Sequence, residues 1–386
     1  MSRAGLVERV RERLADAGGE ITPAGLAAAV RAEAGGVVSD VDVLAALRLL
    51  HQEFTGAGPL EPLLRDAATT DVLVTAPDAV WVDRGHGLER AEVRFDDEAG
   101  VRRLAQRLAL SAGRRLDDAS PFVDALLPGS GVRLHAILSP IAADGTCLSL
   151  RTLRPAAHDL AALRGLGALD ETAWRLLRAI VRARLAFLIA GGTATGKTTL
   201  LSALIACVSE RERVVCVEDA EELRPAHPHV VRLVARPPNI EGAGEVTLRD
   251  LVRQALRMRP DRLVIGEVRG AEVCDLLAAL NTGHEGGAGT VHANSAREVP
   301  ARLEALAALG GMSRPALHSQ LAAAVQVVLQ VGRGLDGVRR LATVAVLERE
   351  GGEVLVRPAW RWDRGWESGR SRLTGLLAER DVAVSW

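Results

Sequence analysis

Residues 191–198 read Gly191-Gly192-Thr193-Ala194-Thr195-Gly196-Lys197-Thr198, the spacing G-x-x-x-x-G-K-[ST], and Thr199 follows. A glycine-rich turn lets backbone N–H groups cradle a β-phosphate, and a helix starting there adds its partial positive charge. Lys197 would reach the β/γ oxygens, and the Thr198 hydroxyl would ligate Mg²⁺. Lys197 is also the only lysine in the chain; the other 47 of the 48 basic residues are arginines. A compact ammonium fits between phosphate oxygens in a tight backbone cradle where a planar guanidinium does not. The plain alternative is a chance glycine turn before a helix.

Three later clusters could complete such chemistry. Glu218-Asp219-Ala220-Glu221-Glu222 follows the apolar run Val214–Val217. Carboxylates at the C-terminal edge of a parallel strand face the ligand crevice, where one can polarise a water or hold magnesium through water. A solvated acidic helix start would look the same. Arg262-Leu263-Val264-Ile265-Gly266-Glu267 is an apolar strand ending in an acid, the second NTPase pattern with Gly-Glu in place of the usual Asp. Finally, Thr282–Gly287 and Thr290–Asn294 place His284 and His292 at the two ends of one short strand. A zinc pair would need a third ligand, and none has suitable spacing. A γ-phosphate sensor at a strand end fits better, with hydrogen-bonded core histidines as the alternative.

These residues need elements to carry them. Leu185–Ala190 reads as a strand, and Thr198–Val208 as a helix with Leu200, Leu201, Leu204, Ile205 and Val208 inward. Val214–Val217, Leu263–Ile265 and Gly289–Val291 read as further strands. Thr247 would N-cap a helix with Asp250 three residues on, and Glu272–Leu280 would form another. Such alternation predicts an α/β unit with a mainly parallel sheet covered on both faces. Helices are expected over about 295–330, and strands at Leu341–Glu348 and Glu353–Arg357 around Gly351-Gly352.

Upstream, residues 1–53 show two amphipathic stripes, Leu6, Val7, Val10 and Leu14, then Val41, Val43, Leu44, Leu47 and Leu50, and read as a helical extension. Residues 54–158 read as a smaller α+β domain. Its strands are expected at Asp71–Thr75, Val80–Asp83, Glu92–Phe95, Val132–Leu138 and Thr146–Leu153, and its helix at Glu98–Ser111. The nucleotide-binding domain then covers 159–345, and a tryptophan-rich β tail covers 346–386, holding Trp360, Trp362, Trp366 and Trp386.

Composition narrows the function classes. A net charge of −1 offers no general field for DNA or an anionic membrane. Four cysteines without C-x-x-C pairing read as small buried hydrophobes in a reducing compartment, so neither a zinc ribbon nor a disulfide framework is expected. The charged N-terminus lacks a signal-peptide core, and no apolar run approaches the roughly 18 residues of a membrane span. A cytoplasmic protein is expected.

Taken in order, GGTATGKTTL, VEDAEEL, RPPNIEGAGEVTLRDLVRQALRMRPDRLVIGEVRGAE and NTGHEGGAGTVHANS resemble the type II/IV secretion ATPase superfamily. Tight-adherence (Flp) pilus assembly and conjugation-like transfer ATPases look most similar. GPLEPLL at Gly58 and GVRLHAILSP at Gly131 resemble the family's N-terminal domain, so the likeness covers about residues 55–345. It implies a RecA-like P-loop ATPase domain behind a PAS-like N-terminal domain, in a homo-hexameric ring with ATP and Mg²⁺ bound between the two domains. Lys197 and Thr198 would bind phosphate and Mg²⁺. Glu222 would position the water and Glu267 would hold magnesium through water, or the two roles would be exchanged. His292 and His284 would sense the γ-phosphate. Arg133 and Arg151 would reach the phosphates on domain closure, with Arg232 and Arg236 as further candidates. The partner would be an inner-membrane platform of a pilus or secretion system, with the protein peripheral at the inner face of the cytoplasmic membrane.

Two positions depart from the family pattern. The loop commonly reads GGTGSGKT, so Ala194 and Thr195 stand in place of glycine and serine. A Cβ at 194 is harmless at negative φ and costs roughly 1 kcal/mol or more if the turn is left-handed there. Thr152 stands where a second arginine often follows Arg151. Three readings result: an ATP-driven motor, a nucleotide-gated scaffold with little turnover, and a DNA-translocating ATPase. The near-neutral charge and the lack of an aromatic-and-basic strip weigh against the last.

Overall fold

The computed structural model describes residues 56–153, 159–239, 241–334 and 336–383, with 9, 10, 13, 28–30, 32 and 33 of the N-terminal part. The two expected N-terminal stripes lie, Val10 apart, outside the described residues, as does Trp386. The chain divides into two units, Met1–Arg154 and Pro155–Trp386.

In the first unit, α1 (Glu61–Arg65) precedes β1 (Asp71–Ala76), β2 (Ala79–Asp83) and β3 (Leu88–Arg90). Helix α2 (Glu98–Ser111) leads to β4 (Phe122–Leu127), β5 (Val132–Ile137) and β6 (Cys147–Thr152). The antiparallel order is β3-β2-β1-β6-β5-β4. Asp97 caps α2 by accepting from the Gly100 N–H, and Val101, Leu104, Ala105 and Leu108 bury its inner face in a core shared with Val72, Val80, Leu134 and Leu150. Two expectations fail. Glu92–Phe95 is not a strand; Val93 and Phe95 pack on the core, so their alternation marks burial without a ladder. Strand β4 has no counterpart in the expected set, because Phe122 and Leu126 on its exposed face blur its period of two.

The second unit begins with α3 (Leu160–Gly165), α4 (Glu171–Arg182) and β7 (Phe187–Gly191). Helix α5 (Lys197–Ile205), β8 (Val214–Glu218), β9 (Val230–Val234), α6 (Leu248–Ala255), β10 (Arg262–Val268), α7 (Glu272–Leu280) and β11 (Ala288–His292) follow. Then come α8 (Val299–Leu309), α9 (Arg314–Ala324), β12 (Val327–Arg333), β13 (Arg339–Glu350), β14 (Glu353–Arg361), β15 (Gly365–Trp366) and α10 (Arg370–Ala378). One sheet holds all nine strands in the order β15-β14-β13-β12-β7-β11-β10-β8-β9. From β12 to β9 every pairing is parallel, and β13 to β15 add an antiparallel flank.

Strands β7 and β8 are buried at every position, as expected of a sheet covered on both faces. Helix α4 buries Ala173, Leu176, Leu177 and Ile180 on one side, each Leu or Ile contributing roughly 1.5–3 kcal/mol. Thr247 and Asp250 form the expected capping box of α6. Helices do not continue to residue 330: Val327–Arg333 is a buried parallel strand beside β7, and a short apolar run of that kind cannot be told from a helix by periodicity. Nor do residues 346–383 stand apart. Their strands extend the same sheet, and Trp360, Leu373 and Leu377 enter the core that holds Phe187 and Leu201. Of the four cysteines only Cys216 is buried; Cys207 is exposed, and Cys147 and Cys274 are partly covered.

Candidate active site

Four strand ends converge on one edge of the parallel sheet. Strand β7 delivers the glycine-rich loop, β11 ends at His292 directly opposite Gly191, β10 carries Glu267, and β8 ends at Glu218. Two glycines are dictated by shape. A Cβ on Gly191 would stand 2.6 Å from Thr195 Oγ1 and 2.8 Å from Val331, and Gly196 has φ 96° where it caps α5. Ala194 also adopts a left-handed φ of 57°. The first turn of α5 has no side-chain cap, which leaves its positive end open to an anion.

Lys197 is 7% exposed. Its Nζ donates to the carbonyl oxygens of Gly191 (3.0 Å) and Gly192 (2.7 Å), and lies 3.3 Å from Nδ1 of His292. Among the described residues it forms no ion pair. Burial holds the ammonium below its ordinary pKa, against the pull of Glu267 and Glu222. A buried cation held only by neutral groups is matched to an incoming anion, because bringing one there offsets its desolvation.

His292 ties the loop to β10. Nε2 of His292 is 2.8 Å from Glu267 Oε1. An ammonium has no lone pair to offer, so Nδ1 must accept from Lys197 and Nε2 must carry the proton toward Glu267. Burial keeps His292 below the usual imidazole value; Glu267 opposes that, and Lys197 and Arg269 reinforce it. The other Glu267 oxygen accepts from Arg269 Nη2 at 2.7 Å, and Arg269 Nη1 donates to Asp219 at 2.6 Å. Burial acts to raise the Glu267 carboxyl, but Arg269, His292 and Lys197 together hold it below the usual range. One extra residue in β10 between Ile265 and Val268 bulges the strand at Gly266–Glu267, and such bulges re-aim side chains.

The acidic box is organised by its first residue, Glu218, and not by Glu222, the one the sequence singles out. Glu218 is 2% exposed, and its Oε1 accepts from the Glu222 N–H (3.1 Å) and the Leu223 N–H (2.9 Å). That closes the loop so that Glu222 Oε2 accepts from Thr198 Oγ1 at 3.2 Å. Among the described residues Glu218 Oε2 has no hydrogen-bond partner, and a Cβ on Gly266 would stand 2.8 Å from Glu218 Cγ. Burial pushes the Glu218 carboxyl up to about 7, against the two N–H donors. Sequence reasoning places Glu218 and Asp219 in the acidic run but assigns the role to Glu222, and it passes over Arg269. Their legible signals were the first acid after a buried strand and an arginine two positions after Glu267, on the same side of the chain.

Other expected site residues fall elsewhere. His284 precedes β11 by four residues, at the edge of the sheet opposite His292, with Nδ1 3.2 Å from the Ala279 carbonyl oxygen at the end of α7. The two histidines thus do not share a site, and His284 fits the hydrogen-bonded alternative. Arg232 pairs with Glu221, and Arg236 donates to the Gly244 carbonyl at 2.8 Å. In the first unit, Arg133 and Arg151 are cross-strand neighbours on β5 and β6. Arg133 binds Asp124 through two donors (3.0 and 2.6 Å), and Arg151 donates to Asp71 at 2.9 Å. Among the described residues no group of acids, histidines and cysteines could hold a metal ion by itself, and no helix is long and apolar enough to cross a membrane.

Residues 53–350 match the family described as Type II/IV secretion system protein. The chain belongs to that family. A putative conjugal transfer protein of Mycobacterium tuberculosis strain H37Rv is 65% identical over 352 residues, 90% of this chain and 100% of the relative. The type IV secretion system protein PtlH of Bordetella pertussis is 32% identical over 318 residues, covering 76% and 89%. Among solved structures, the pilus retraction motor PilT with bound ADP matches with a TM-score of 0.52 at 19% identity, covering 83% of this chain and 85% of that one; this likeness is one of fold.

In this secretion-family chain, Ala194 is the local departure that the backbone makes costly. Its left-handed φ is the case in which a Cβ strains the turn by roughly 1 kcal/mol or more. The arrangement as a whole suits a nucleotide with Mg²⁺. It offers an uncapped helix start, one buried ammonium, the Thr198 hydroxyl and the Glu267 carboxylate, all on one edge.

Proposed function

We propose that this chain is an ATPase that binds Mg-ATP at residues 191–199 and uses hydrolysis to drive transfer or assembly across a membrane. The observation that carries the reading is the buried Lys197, held by two carbonyls and a neutral His292 and in no ion pair among the described residues. Lys197 would exchange those carbonyls for phosphate oxygens and neutralise charge that grows during transfer. Thr198 and, through water, Glu267 would hold Mg²⁺, which when bound neutralises the β/γ oxygens and orients them. Glu222, already within hydrogen-bond reach of Thr198, would accept the proton of the attacking water. Neutral His292 would report a γ-phosphate to Glu267 through its Nε2–H.

The conjugal transfer and type IV secretion relatives support a role at an inner-membrane platform, and we extend that to a homo-hexameric motor acting from the cytoplasmic side. Flp pilus assembly is one such system. Steady-state ATP hydrolysis and ADP binding by wild type and Lys197→Ala test the site. The variant should lose both while keeping its circular dichroism spectrum; hydrolysis at the wild-type rate would sink the assignment. The strain at Ala194 favours one second reading, a scaffold that assembles on ATP with little turnover. Turnover measured on the assembled protein separates it from the motor.

A further inference from the structure

On the side of β7 away from β11, a hairpin lies along the phosphate loop. Strand β12 runs parallel to β7 and pairs Gln330 with Ala190, and an irregularity follows between Gln330 and Val331. Val331 then comes so near Gly191 that a Cβ there would meet it at 2.8 Å. Strand β12 ends at Arg333 and β13 begins at Arg339, directly opposite each other in register. The Arg339 side chain reaches the loop itself: its Cδ is 3.8 Å from where a Cβ on Gly196 would stand. Gly196 caps the helix whose first residue is Lys197.

Arg333 and Arg339 are both exposed, and among the described residues neither side chain has a hydrogen-bond or ion-pair partner. Their neighbour Arg340 is used differently, pairing with Asp336 and covering the Trp362 ring at 5.1 Å. Like charges directly opposite each other on adjacent strands are unfavourable, and no acidic side chain among the described residues forms an ion pair with either. An anion over the N-terminus of α5 would. A guanidinium also offers several donors in a fixed fork that matches phosphate oxygens.

We propose that Arg339 is a phosphate-binding residue of the nucleotide site, acting from the side of the loop opposite Glu267 and His292. The inference rests on the nucleotide reading above. Arg339 would hold the phosphate chain equally in ADP and ATP, so its loss should appear in binding more than in the chemical step. Arg333 adds to the local positive field from the facing strand.

Fluorescence titration with ADP, and separately with pyrophosphate, tests this on wild type, Lys197→Ala, Arg339→Ala and Arg339→Lys. Arg339→Ala should weaken both ligands by about tenfold or more, and raise KM for ATP by a similar factor with a far smaller change in kcat. Arg339→Lys should recover part of the affinity, which a merely structural role would not predict. If wild type binds ADP no better than Lys197→Ala, the nucleotide reading fails and takes this inference with it. If wild type binds ADP and Arg339→Ala binds it equally well, this inference alone fails. Weaker ADP binding with unchanged pyrophosphate binding would put the contact at the base, and that also overturns the proposal.

Discussion

Nδ1 of His292 stands 3.3 Å from Nζ of Lys197, and that contact fixes the proton on the other imidazole nitrogen, facing Glu267. The histidine thus joins a cation to an anion while itself neutral. Protonating Nδ1 would remove the acceptor and set a second positive charge against Lys197. Burial holds the His292 pKa below 6.5, so the neutral form is favoured in the folded protein. Its stabilising contribution is complete above 6.5 and is lost as pH falls through the lower folded value. We expect ATP turnover to decline over the same acid range, and His292→Gln to lose that limb together with roughly 100-fold in kcat. A pH–rate profile of both proteins checks this; an acid limb unchanged in the variant would assign it to another group.

The left-handed Ala194 makes a second expectation concrete. Relief of the Cβ strain in Ala194→Gly is worth about 1 kcal/mol, partly offset by the greater freedom of glycine in the unfolded chain. The net gain should raise the melting temperature by about 1–3 °C. If the strain also slows loop rearrangement, turnover should rise with it. Calorimetry and a steady-state assay on the same preparation decide between the two. A lower melting temperature would mean that the loop prefers alanine.

Much of this site was legible because phosphate chemistry constrains short segments. The loop, the solitary Lys197, the acid after β10 and the histidine after β11 are all adjacent in sequence to strand ends, and parallel strands bring such ends together. What was not legible depends on register and burial. Glu218 and Glu222 are four apart in one acidic run, and only burial of the first reveals that it holds the backbone of the second. His284 and His292 look equivalent by motif, but one strand length separates them across the sheet. Strand β12 reads as part of a helical region because its buried stretch, residues 327–331, has no exposed face to mark its period. Arg339 sits far from every motif in sequence, and only the pairing of β12 with β7 and with β13 carries it to Gly196.

Glu218 gives the last expectation. Its Oε1 satisfies two backbone donors, so Glu218→Ala would leave the Glu222 and Leu223 N–H groups unpaired in a buried setting, at a cost of roughly 1–3 kcal/mol. Glu218→Gln keeps an acceptor oxygen there and removes the titration. The wild-type carboxyl is raised by burial from 4.5 to about 7. A raised folded value means that the protonated form is favoured on folding: its stabilisation is complete below 4.5 and is lost as pH rises through about 7. Wild type and Glu218→Gln should therefore be close in stability near pH 4.5, and the variant should be relatively the more stable near pH 8. Melting temperatures of both proteins across pH 5–8 test the sign. Parallel curves would mean that Glu218 stays ionised, with its second oxygen satisfied by water. The same variant tests the link to chemistry. If Glu218 acts only by holding the loop that presents Glu222 to Thr198, Glu218→Gln should keep most of the turnover, and Glu218→Ala should lose it along with the loop.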